Sequence, residues 1–319
     1  MSVLVYVEHW NGAFKKASFE AVSYASKVAE QAQTTCVAIT VNATENLDVL
    51  AQYGADNIIN ISNGQSTFDA QNHATIINQE AEAAQSNTII ISNSNNGKMI
   101  APQVAVKQHA AIISNAIDLP SSLSPLKVKR KAFSNKAIVH YSTAAEKQVL
   151  TLMPNAFGVK ENQKTAQVEQ KSAQAVESKL KSIKIEQASG EIPLPEAELV
   201  VSGGRGLKGP EHWSMLEDLA KALGAGTACS KPVADMGWRP HHEHVGQTGL
   251  AINPELYIAV GISGAIQHLA GVASSKNIVV INTDPEAPFF KAADYGIVGD
   301  AFEVIPKLTE SIKAYKSNG

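Results

Sequence analysis

Residues 256–271, LYIAVGISGAIQHLAG, contain the pattern that decides the fold. Leu256–Val260 is a short apolar run of the kind that forms a buried strand, and residues 261–264 form a glycine-flanked turn. The residues from Ala265 onward have a helical pattern. A strand, a glycine turn and a helix in this order build a parallel α/β unit, and the turn amides can face an anion. This stretch predicts an α/β domain with a phosphate-type turn.

A second glycine turn comes earlier in the chain. Residues 204–209, GRGLKG, match the GxGxxG dinucleotide fingerprint between a predicted strand, Glu198–Val201, and a predicted amphipathic helix, Glu211–Leu223. An ordinary dinucleotide site also needs an acidic residue closing a second strand about 20 residues further on. The segment from Gly224 to Pro232 is not predicted to form such a strand. The turn therefore indicates anion binding more than an ordinary NAD site, and Arg205 adds a guanidinium suited to phosphate.

Further polar residues follow predicted strands or lie in loops of the same region. Val245–Gly249 is a polar, glycine-containing loop, Asn282 ends a predicted strand at Ile278–Asn282, and Asp300 ends another. Open α/β sheets bind ligands at the carboxyl ends of their strands, so these segments predict one crevice. His268, near the start of a predicted helix, has two interpretations. A partly buried structural histidine is the alternative, and the two neighbouring phosphate-type turns favour a ligand contact.

The first half of the chain alternates short β-branched runs with helical patterns. Strands are predicted at Val3–Val7, Cys36–Thr40, Asn57–Ile61 and Thr88–Ser92, with helices over residues 19–32 and Ala74–Ala84. This alternation predicts βαβ units and a parallel sheet. Three later runs have no helix between them, and they predict antiparallel strands at the edge of that sheet: Lys127–Phe133, Lys136–Tyr141 and Gln148–Met153.

A change of composition predicts where the domains meet. Residues 161–181 are rich in Gln, Lys, Ser and Ala, and residues 191–195 contain two prolines. Polar sequence followed by prolines is typical of a linker, although a solvated surface helix explains the polar part equally well. The chain is therefore predicted to form an N-terminal domain over residues 1–190 and a C-terminal domain over residues 191–319.

Composition excludes some classes of function. Among 319 residues, 27 Lys and Arg nearly balance 30 Asp and Glu, so the one-sided basic field of nucleic-acid-binding proteins is absent from the sequence. Cys36 and Cys229 form no CxxC pair, which favours a reducing compartment. No apolar run has membrane-spanning length, and no leader precedes the first predicted strand. These features predict a cytosolic protein or a matrix protein in its mature form. We expect the simpler of the two, a protein of the bacterial cytoplasm without direct membrane insertion.

Catalytic machinery is not visible in the sequence. Residues 241–244, HHEH, invite a metal interpretation, but adjacent positions seldom converge on one ion, and a solvated loop is favoured. No GxSxG or Walker A pattern occurs, and no catalytic residue is predicted. Phosphate-type turns without hydrolytic machinery favour the carrier of a redox cofactor. An NAD-dependent oxidoreductase and a nucleotide-binding regulatory module remain as alternatives.

Several segments of the C-terminal region resemble a known protein family. Residues 200–206, 245–249 and 256–271 closely resemble the C-terminal domain of electron transfer flavoprotein alpha subunits, and residues 282–287 and 293–298 continue the likeness. It covers nearly all of residues 196–319. The first domain resembles the family more loosely, through Gly97-Lys98, Pro102 and Pro154–Phe157. Gln103 and Met153 stand where the family usually has arginine.

The resemblance implies an α/β fold of two domains. The N-terminal domain would be a parallel-sheet, nucleotide-binding-like domain of the adenine nucleotide alpha hydrolase-like type, and the C-terminal one a Rossmann-like FAD-binding domain. It also implies an electron carrier, not an enzyme, in a heterodimer with a beta subunit. Such a carrier accepts electrons from flavoprotein dehydrogenases, acyl-CoA dehydrogenases of fatty acid β-oxidation among them, and passes them to a membrane quinone oxidoreductase by transient docking.

The resemblance further implies which residues bind FAD. Arg205, Ser263 and Gly264 would lie along the ribityl diphosphate, Gln247 and Thr248 would face the flavin, and His268 would hydrogen-bond the carbonyl at C2. Asn282 and Asp300 would serve the adenosine half. Lys231 follows Ser230 where the family typically places an arginine over the flavin, so the planar guanidinium is lost. The remaining implied contacts are Ser230, Lys231, Val245, Gly246, Gly249, Ala265, Ile266 and Gln267.

Overall fold

A computed structural model describes residues 2–10, 12–44, 46–65, 67–133, 137–173 and 193–317. The chain divides into two compact units, Met1–Lys131 with Ile138–Glu186, and Gln187–Gly319 with Ala132–Ala137. The predicted boundary between residues 190 and 191 lies outside the described residues and stays a prediction. In the described part of the chain, no helix is long and apolar enough to cross a membrane.

The first unit is a large sheet with helices on both faces. Its strands are β1 (Ser2–Tyr6), β2 (His9–Trp10), β3 (Ala13–Phe14), β4 (Thr35–Val41), β5 (Asn57–Ser62), β6 (Ser86–Ser92), β7 (Ala111–Ala116), β8 (Ser122–Leu123), β9 (Leu126–Ala132), β10 (Ala137–Thr143), β11 (Gln148–Leu152) and β12 (Gln167–Ser172). Its helices are α1 (Lys16–Gln31), α2 (Ala70–Ala83) and α3 (Asn95–Gln108), with a 3₁₀ segment at Leu47–Tyr53. The order is β10-β9-β7-β11-β6-β1-β4-β5-β12, with β8 on β9 and a separate β2–β3 hairpin.

The parallel centre of this sheet is apolar on both faces because helices cover both. In β1, Val3 and Val5 pack in the core that includes α1, and Leu4 and Tyr6 pack in the opposite core with α2 and α3. Alternate side chains of a strand point to opposite faces, so burial of both faces requires a continuous apolar run. This is why the sequence predicted β1, β4, β5 and β6 to within a few residues.

The prediction for Gln148–Met153 was wrong. Instead of closing an edge, β11 lies in the middle of the sheet and pairs in parallel with both β6 and β7. The strands β9 and β10 do lie at the edge, and β9 runs antiparallel to β7. The sequence analysis also missed α3 and β7. Spacing along the chain could not show that the β9–β10 excursion separates two neighbouring parallel strands.

The polar segment after residue 160 contains a strand. Gln167–Ser172 forms β12, which pairs in parallel with β5 over its whole length. The sequence analysis predicted a linker or a surface helix in this region and not a strand. Its side chains are mostly exposed, with Val168 42% exposed, so backbone pairing at the sheet edge can hold it without an apolar pattern.

A buried carboxylate anchors the loop that follows β11. Glu20 of α1 is 1% exposed and accepts hydrogen bonds from the backbone N–H groups of Asn155, Phe157 and Gly158 at 2.8–2.9 Å. A buried charge needs such donors, since an unpaired one costs several kcal/mol. The Pro154–Phe157 motif therefore has a structural role in the first unit.

The second unit is a five-stranded parallel sheet flanked by helices. Its strands are β13 (Leu199–Gly203), β14 (Gly226–Cys229), β15 (Leu256–Val260), β16 (Asn277–Asn282) and β17 (Tyr295–Val298), in the order β14-β13-β15-β16-β17. Its helices are α4 (Ser214–Leu223), α5 (Lys231–Asp235), α6 (Ile266–Val272) and α7 (Ala301–Ser317). Short 3₁₀ segments lie at Leu194–Glu196, Arg205–Leu207, Pro210–His212, His241–Glu243 and Pro288–Ala292.

The strand β14 corrects the sequence analysis. Gly226–Cys229 does form a second strand beside β13, although its small residues have no strong strand pattern. It is followed by Ser230 and Lys231, so the acidic residue of an ordinary dinucleotide site is indeed missing. The two neighbouring strands that the dinucleotide fingerprint requires are therefore present, but the acidic residue after the second strand is missing.

Candidate functional site

The strand order of the second unit places a crevice at one point of the sheet. The chain goes from β13 outward to β14 and then returns to the other side of β13 as β15. Ligands of open α/β sheets bind outside the carboxyl ends of the strands at such a switch point. The two turns predicted from the sequence, after β13 and after β15, lie side by side there.

The glycines of these turns allow the turns to pack against each other. The Gly204 N–H donates to the Val260 carbonyl at 2.9 Å, and the Gly206 N–H donates to the Gly261 carbonyl at 3.0 Å. A Cβ atom on Gly206 would lie 2.6 Å from the Gly261 Cα, and Gly261 itself has φ +61°. Side chains at these positions would separate the turns. The glycines are therefore required for the close packing of the two turns, in addition to allowing the backbone to approach a ligand.

The loop Val245–Gly249 is held against the same edge. The Val245 N–H donates to the Cys229 carbonyl at 3.1 Å, and the Gln247 N–H donates to the Gln267 carbonyl at 2.7 Å. A Cβ atom on Gly271 would lie 2.4 Å from the Gly246 nitrogen, so α6 packs closely on the loop. The structure therefore joins the end of β14, the loop and the start of α6.

Several polar side chains at this edge are exposed and unpaired. The side chains of Arg205, Gln247, Thr248, Ser263 and Gln267 make no hydrogen bond to another described residue. The apolar side chain of Ile266, which precedes Gln267, is 60% exposed. The unpaired side chains come from the turn after β13, the loop before β15, the turn after β15 and the start of α6. These donors and acceptors are available to a ligand.

A cavity of about 220 Å³ lies at the same edge, beside the unpaired group. It is lined by Gly206, Lys208, Gly261, Ile281, Asn282, Thr283, Gly299, Asp300 and Ala301. Asn282 also ties two turns together, since its Nδ2 donates to the Ile262 carbonyl at 3.1 Å and its Oδ1 accepts from the Asp284 N–H. The Lys208 Nζ lies 3.9 Å from the Asp300 Oδ2. Sequence analysis did not select Lys208, although it lies inside the GRGLKG turn.

His268 lies in the interior of the second unit. It is 7% exposed, its Nε2 lies 2.8 Å from the Tyr257 Oη, and its ring packs edge-on against Phe289. Its Nδ1 is buried and has no hydrogen-bond partner among the described residues. Burial lowers the pKa of His268 to about 4, helped by the nearby His244, so the ring is neutral at pH 7. Sequence analysis did not identify Tyr257 as its partner.

Lys231 forms an ion pair within α5. Its Nζ lies 2.6 and 2.9 Å from the two carboxylate oxygens of Asp235, and both side chains are exposed. The hydrogen bond from Lys231 lowers the pKa of Asp235. Burial, followed by the Lys231 charge, lowers the pKa of His244. A cation therefore lies just after β14, and the carboxylate of Asp235, one helical turn away, orients the Lys231 side chain.

The HHEH segment is not a fully solvated loop, which corrects the sequence analysis. Glu243 is 2% exposed and accepts two hydrogen bonds from the Arg239 Nε at 2.9–3.0 Å. Arg239 also pairs with Glu217 and stacks on Trp213. Glu243 thus anchors the segment before the Val245–Gly249 loop. Within the described residues, no group of three or more His, Cys, Asp or Glu is placed to hold a metal ion.

The structure brings all the predicted contact residues to one edge or to the layer beneath it. Ser230, Val245, Gly246, Gly264 and His268 are buried, and Asn282 and Asp300 are half-buried. The exposed ones are Arg205, Lys231, Gln247, Thr248, Gly249, Ser263, Ala265, Ile266 and Gln267. Their contact with FAD stays a prediction.

The parallel sheet, its interlocked glycine turns and its unpaired polar edge define an α/β protein of the class that binds dinucleotide-type cofactors. The electron transfer flavoprotein domain model matches residues 3–177, and the electron transfer flavoprotein FAD-binding domain model matches residues 193–273. The chain belongs to the electron transfer flavoprotein alpha-subunit family. Its members are electron carriers and not enzymes.

Some curated relatives match over nearly the whole chain, and another matches over about two thirds of it. The alpha subunit of Bacillus subtilis is 33% identical over 315 residues, which cover 98% of this chain and 97% of the relative. The alpha subunit of Pseudomonas aeruginosa is 34% identical over 316 residues, covering 98% and 100%. The Paracoccus denitrificans alpha subunit is 41% identical over a shorter match of 213 residues, 66% of this chain and 68% of the relative.

The residues present fit the FAD of the matched domain. The unpaired side chains at the edge include a guanidinium, hydroxyls and amides, which are the donors that a diphosphate and a flavin require. The His268 Nδ1 is buried and lacks a hydrogen-bond partner among the described residues, and the His268 Cα would lie 3.7 Å from a Cβ atom on Gly246 of the Val245–Gly249 loop. The exposed Ile266 offers apolar surface beside them. Polar donors next to apolar surface are typical of a cofactor site.

Proposed function

We propose that FAD binds along the carboxyl edge of the second unit, held by the residues predicted from the sequence. The observation that carries this proposal is the unpaired set of Arg205, Gln247, Thr248, Ser263 and Gln267 around two interlocked turns. Polar side chains of a folded protein usually find partners or remain scattered on the surface. Here they converge on the switch point of a parallel sheet.

Each part of the edge has a separate task in this proposal. Arg205 and Ser263 hold the diphosphate, because a guanidinium and a hydroxyl can donate to phosphate oxygens. The cavity lined by Asn282 and Asp300 takes the adenosine half. Gln247, Thr248, Lys231 and His268 surround the flavin, where donors and one cation stabilise negative charge. FAD supplies the redox chemistry when it is bound, and the protein orients it and tunes its potential.

The partners follow from the family. The proposed partner of this alpha subunit is a beta subunit, in a heterodimer. Flavoprotein dehydrogenases, such as the acyl-CoA dehydrogenases of fatty acid β-oxidation, would donate the electrons, and a membrane quinone oxidoreductase would accept them. Both would dock transiently, with the carrier remaining in the bacterial cytoplasm. The relatives are themselves named as subunits, which supports a multi-chain particle.

The test is a visible spectrum of this chain purified with its beta partner and reduced stepwise without oxygen. We expect flavin bands in stoichiometric amount that bleach in one-electron steps and do not respond to NADH. A complex that is colourless and gains no colour with added FAD would refute the proposal. Direct reduction by NADH would favour the NAD-dependent oxidoreductase. Adenine nucleotide without flavin would favour the regulatory module.

A further inference from the structure

The interior of the second unit holds a tyrosine–histidine pair that cofactor contacts at the edge do not require. Tyr257 of β15 is fully buried, and its Oη lies 2.8 Å from the Nε2 of His268. The His268 Nδ1 is also buried and lacks a hydrogen-bond partner among the described residues. One ring nitrogen is thus occupied from the core, and the other is available.

Both partners of this hydrogen bond are neutral. Burial raises the pKa of the Tyr257 phenol well above its usual value, so the phenol keeps its proton. The imidazole is uncharged at pH 7 and carries a single proton, on Nδ1 or on Nε2. If the phenol donates to Nε2, the ring proton must be on Nδ1. If Nε2–H donates to the phenol, Nδ1 has none.

Two neighbours favour the phenol as donor. The Val245 backbone acts to raise the pKa of His268 and so favours a proton on the ring, although Nδ1 has no hydrogen-bond partner among the described residues. Because Nε2 faces the phenol, we assign that proton to Nδ1. Ser202 lies on β13, the strand that pairs with β15, and its buried Oγ has no hydrogen-bond partner among the described residues; it acts to lower the pKa of the Tyr257 phenol, as a hydroxyl that donates to the phenol oxygen would. A phenol oxygen that faces a hydroxyl donor turns its own proton toward the imidazole.

We propose that Tyr257 is a positioning residue that fixes His268 in the tautomer with its proton on Nδ1. The ring then has one donor, beside the Val245–Gly249 loop, and its only acceptor is used by the core. A histidine that can only donate suits a flavin carbonyl that gains negative charge on reduction. This role toward FAD rests on the proposed function, whereas the tautomer itself does not. Tyr257 does not touch the cofactor in this account.

The first unit contains a natural comparison. There the Tyr6 Oη lies 2.7 Å from His73, but at Nδ1 instead of Nε2. Both residues are buried, and burial raises the pKa of Tyr6 as well. If the Tyr6 phenol donates to Nδ1 as well, the proton of His73 lies on Nε2. One molecule should therefore contain two buried histidines with opposite tautomers.

The tautomers can be read directly from the full chain. We would label histidine with ¹⁵N, record long-range ¹H–¹⁵N correlations of the imidazoles at pH 7, and assign the peaks with His73→Gln and His268→Gln. The expected result is a proton on Nδ1 of His268 and on Nε2 of His73. A wild-type spectrum with the His268 proton on Nε2, or with an average of both tautomers, overturns the inference without any variant.

Tyr257→Phe tests the cause. Without the phenol, His268 should shift toward the Nε2–H form that free imidazole prefers, while Tyr6→Phe should leave the His268 signals in place. A His268 that keeps its Nδ1 proton in Tyr257→Phe shows that Tyr257 does not position it. In the complex with the beta subunit, Tyr257→Phe should weaken FAD binding about fivefold, the effect of one hydrogen bond.

The same spectra separate this inference from the proposed function. Added FAD should move the His268 signals of the wild-type complex if His268 contacts the flavin. FAD that binds without moving them, or a complex that binds no FAD, contradicts the proposed role of His268. In either case an Nδ1 proton on His268 that depends on Tyr257 still supports the positioning role.

Discussion

The carboxyl edges of the two parallel sheets are built alike and differ in what their polar side chains do. In the first unit, Glu8 follows β1 at the switch point, and its carboxylate accepts hydrogen bonds from Ser94 and Asn96 at the start of α3. Asn42 donates to Asn63 across the next two strands. A carboxylate of the chain itself therefore lies at the helix end where a ligand anion would otherwise be stabilised, although the Asn63 Nδ2 and the Gln65 Oε1 of this edge are buried without a hydrogen-bond partner among the described residues.

In the second unit several polar side chains of the corresponding edge lack partners among the described residues, whereas Asn282 is hydrogen-bonded. Arg205, Thr248 and Ser263 are exposed and unpaired, and the backbone is held in place by the interlocked turns instead. The contrast teaches that strand order alone does not make a ligand site. A site needs a backbone that is held rigidly while its side chains stay free. The following predictions test this difference.

The largest expected effect is at the interlocked turns. Gly261→Ala adds a Cβ atom 2.8 Å from the Gly206 Cα, at a position with φ +61°. We expect it to separate the turns and to weaken FAD binding more than about 100-fold, a loss near 3 kcal/mol. Flavin titration of the complex with the beta subunit measures this.

Gly224→Ala is the matched control for that variant. Gly224 also has a positive φ, +76°, but a Cβ atom there meets nothing within 4 Å. The Gly224→Ala substitution should lower the free energy of unfolding by about 1–2 kcal/mol and leave the affinity for FAD unchanged. Equal losses of affinity in the two variants would show that the turns need not interlock.

The next effect concerns the stability of the first unit. Glu20→Gln replaces the buried carboxylate that accepts three backbone N–H groups with an amide that has one acceptor oxygen. We expect a loss of about 2–4 kcal/mol of unfolding free energy, with FAD binding intact. Urea unfolding followed by circular dichroism gives the value. Glu30→Gln, on the exposed side of the same helix, should change it by less than about 1 kcal/mol.

Acid should act on both units through their buried histidines. Burial lowers the pKa of His73 and of His268 to about 4, below the ordinary value of 6.5. The unfolded chain therefore binds protons between pH 6.5 and 4 that the folded chain does not. Stability is fully present above pH 6.5 and falls with pH through this window, by up to about 3 kcal/mol per histidine.

Urea unfolding between pH 7 and 4 checks this dependence on protonation. His73→Gln and His268→Gln should each make the decline with pH shallower, whatever they do to stability at pH 7. Unchanged slopes in both buried-histidine variants would contradict the assignment.

A smaller effect is expected at the unpaired guanidinium. Arg205→Lys keeps the charge but loses the fork that can hold two phosphate oxygens, so FAD affinity should fall about tenfold. Isothermal titration with FAD at two salt concentrations measures it. Arg130→Lys in the first unit, where the side chain stacks on Tyr141, is the control and should not change affinity.

The smallest effect concerns Lys231, where the family typically has arginine. Lys231→Arg should keep FAD bound and shift its reduction midpoints by about 20–60 mV, because a planar cation replaces a compact one near the flavin. Potentiometric titration of both proteins measures the shift. Identical midpoints would contradict a role of Lys231 at the flavin. Lys276→Arg, in an exposed ion pair with Glu255, serves as the unaffected control.

Much of the fold and of the edge could be predicted from local patterns. The bounds of β15 were predicted to the residue, and those of β1, β4 and β5 to within two residues, because a buried strand requires a continuous apolar run that is visible in the sequence. The glycine turns and the polar residues after them were also visible. The strand β14 could not be predicted, because its four small residues show no periodic pattern of apolar side chains.

The sequence by itself determined two α/β units, their parallel character and the family, because these depend on residue order over short stretches. Only the tertiary structure decided that β11 lies inside the sheet, that Glu8 closes the edge of the first unit, and that Tyr257 occupies one nitrogen of His268. Each of these joins residues by their position across strands or helices. Such pairings depend on long-range packing, which the spacing of residues along a chain does not contain.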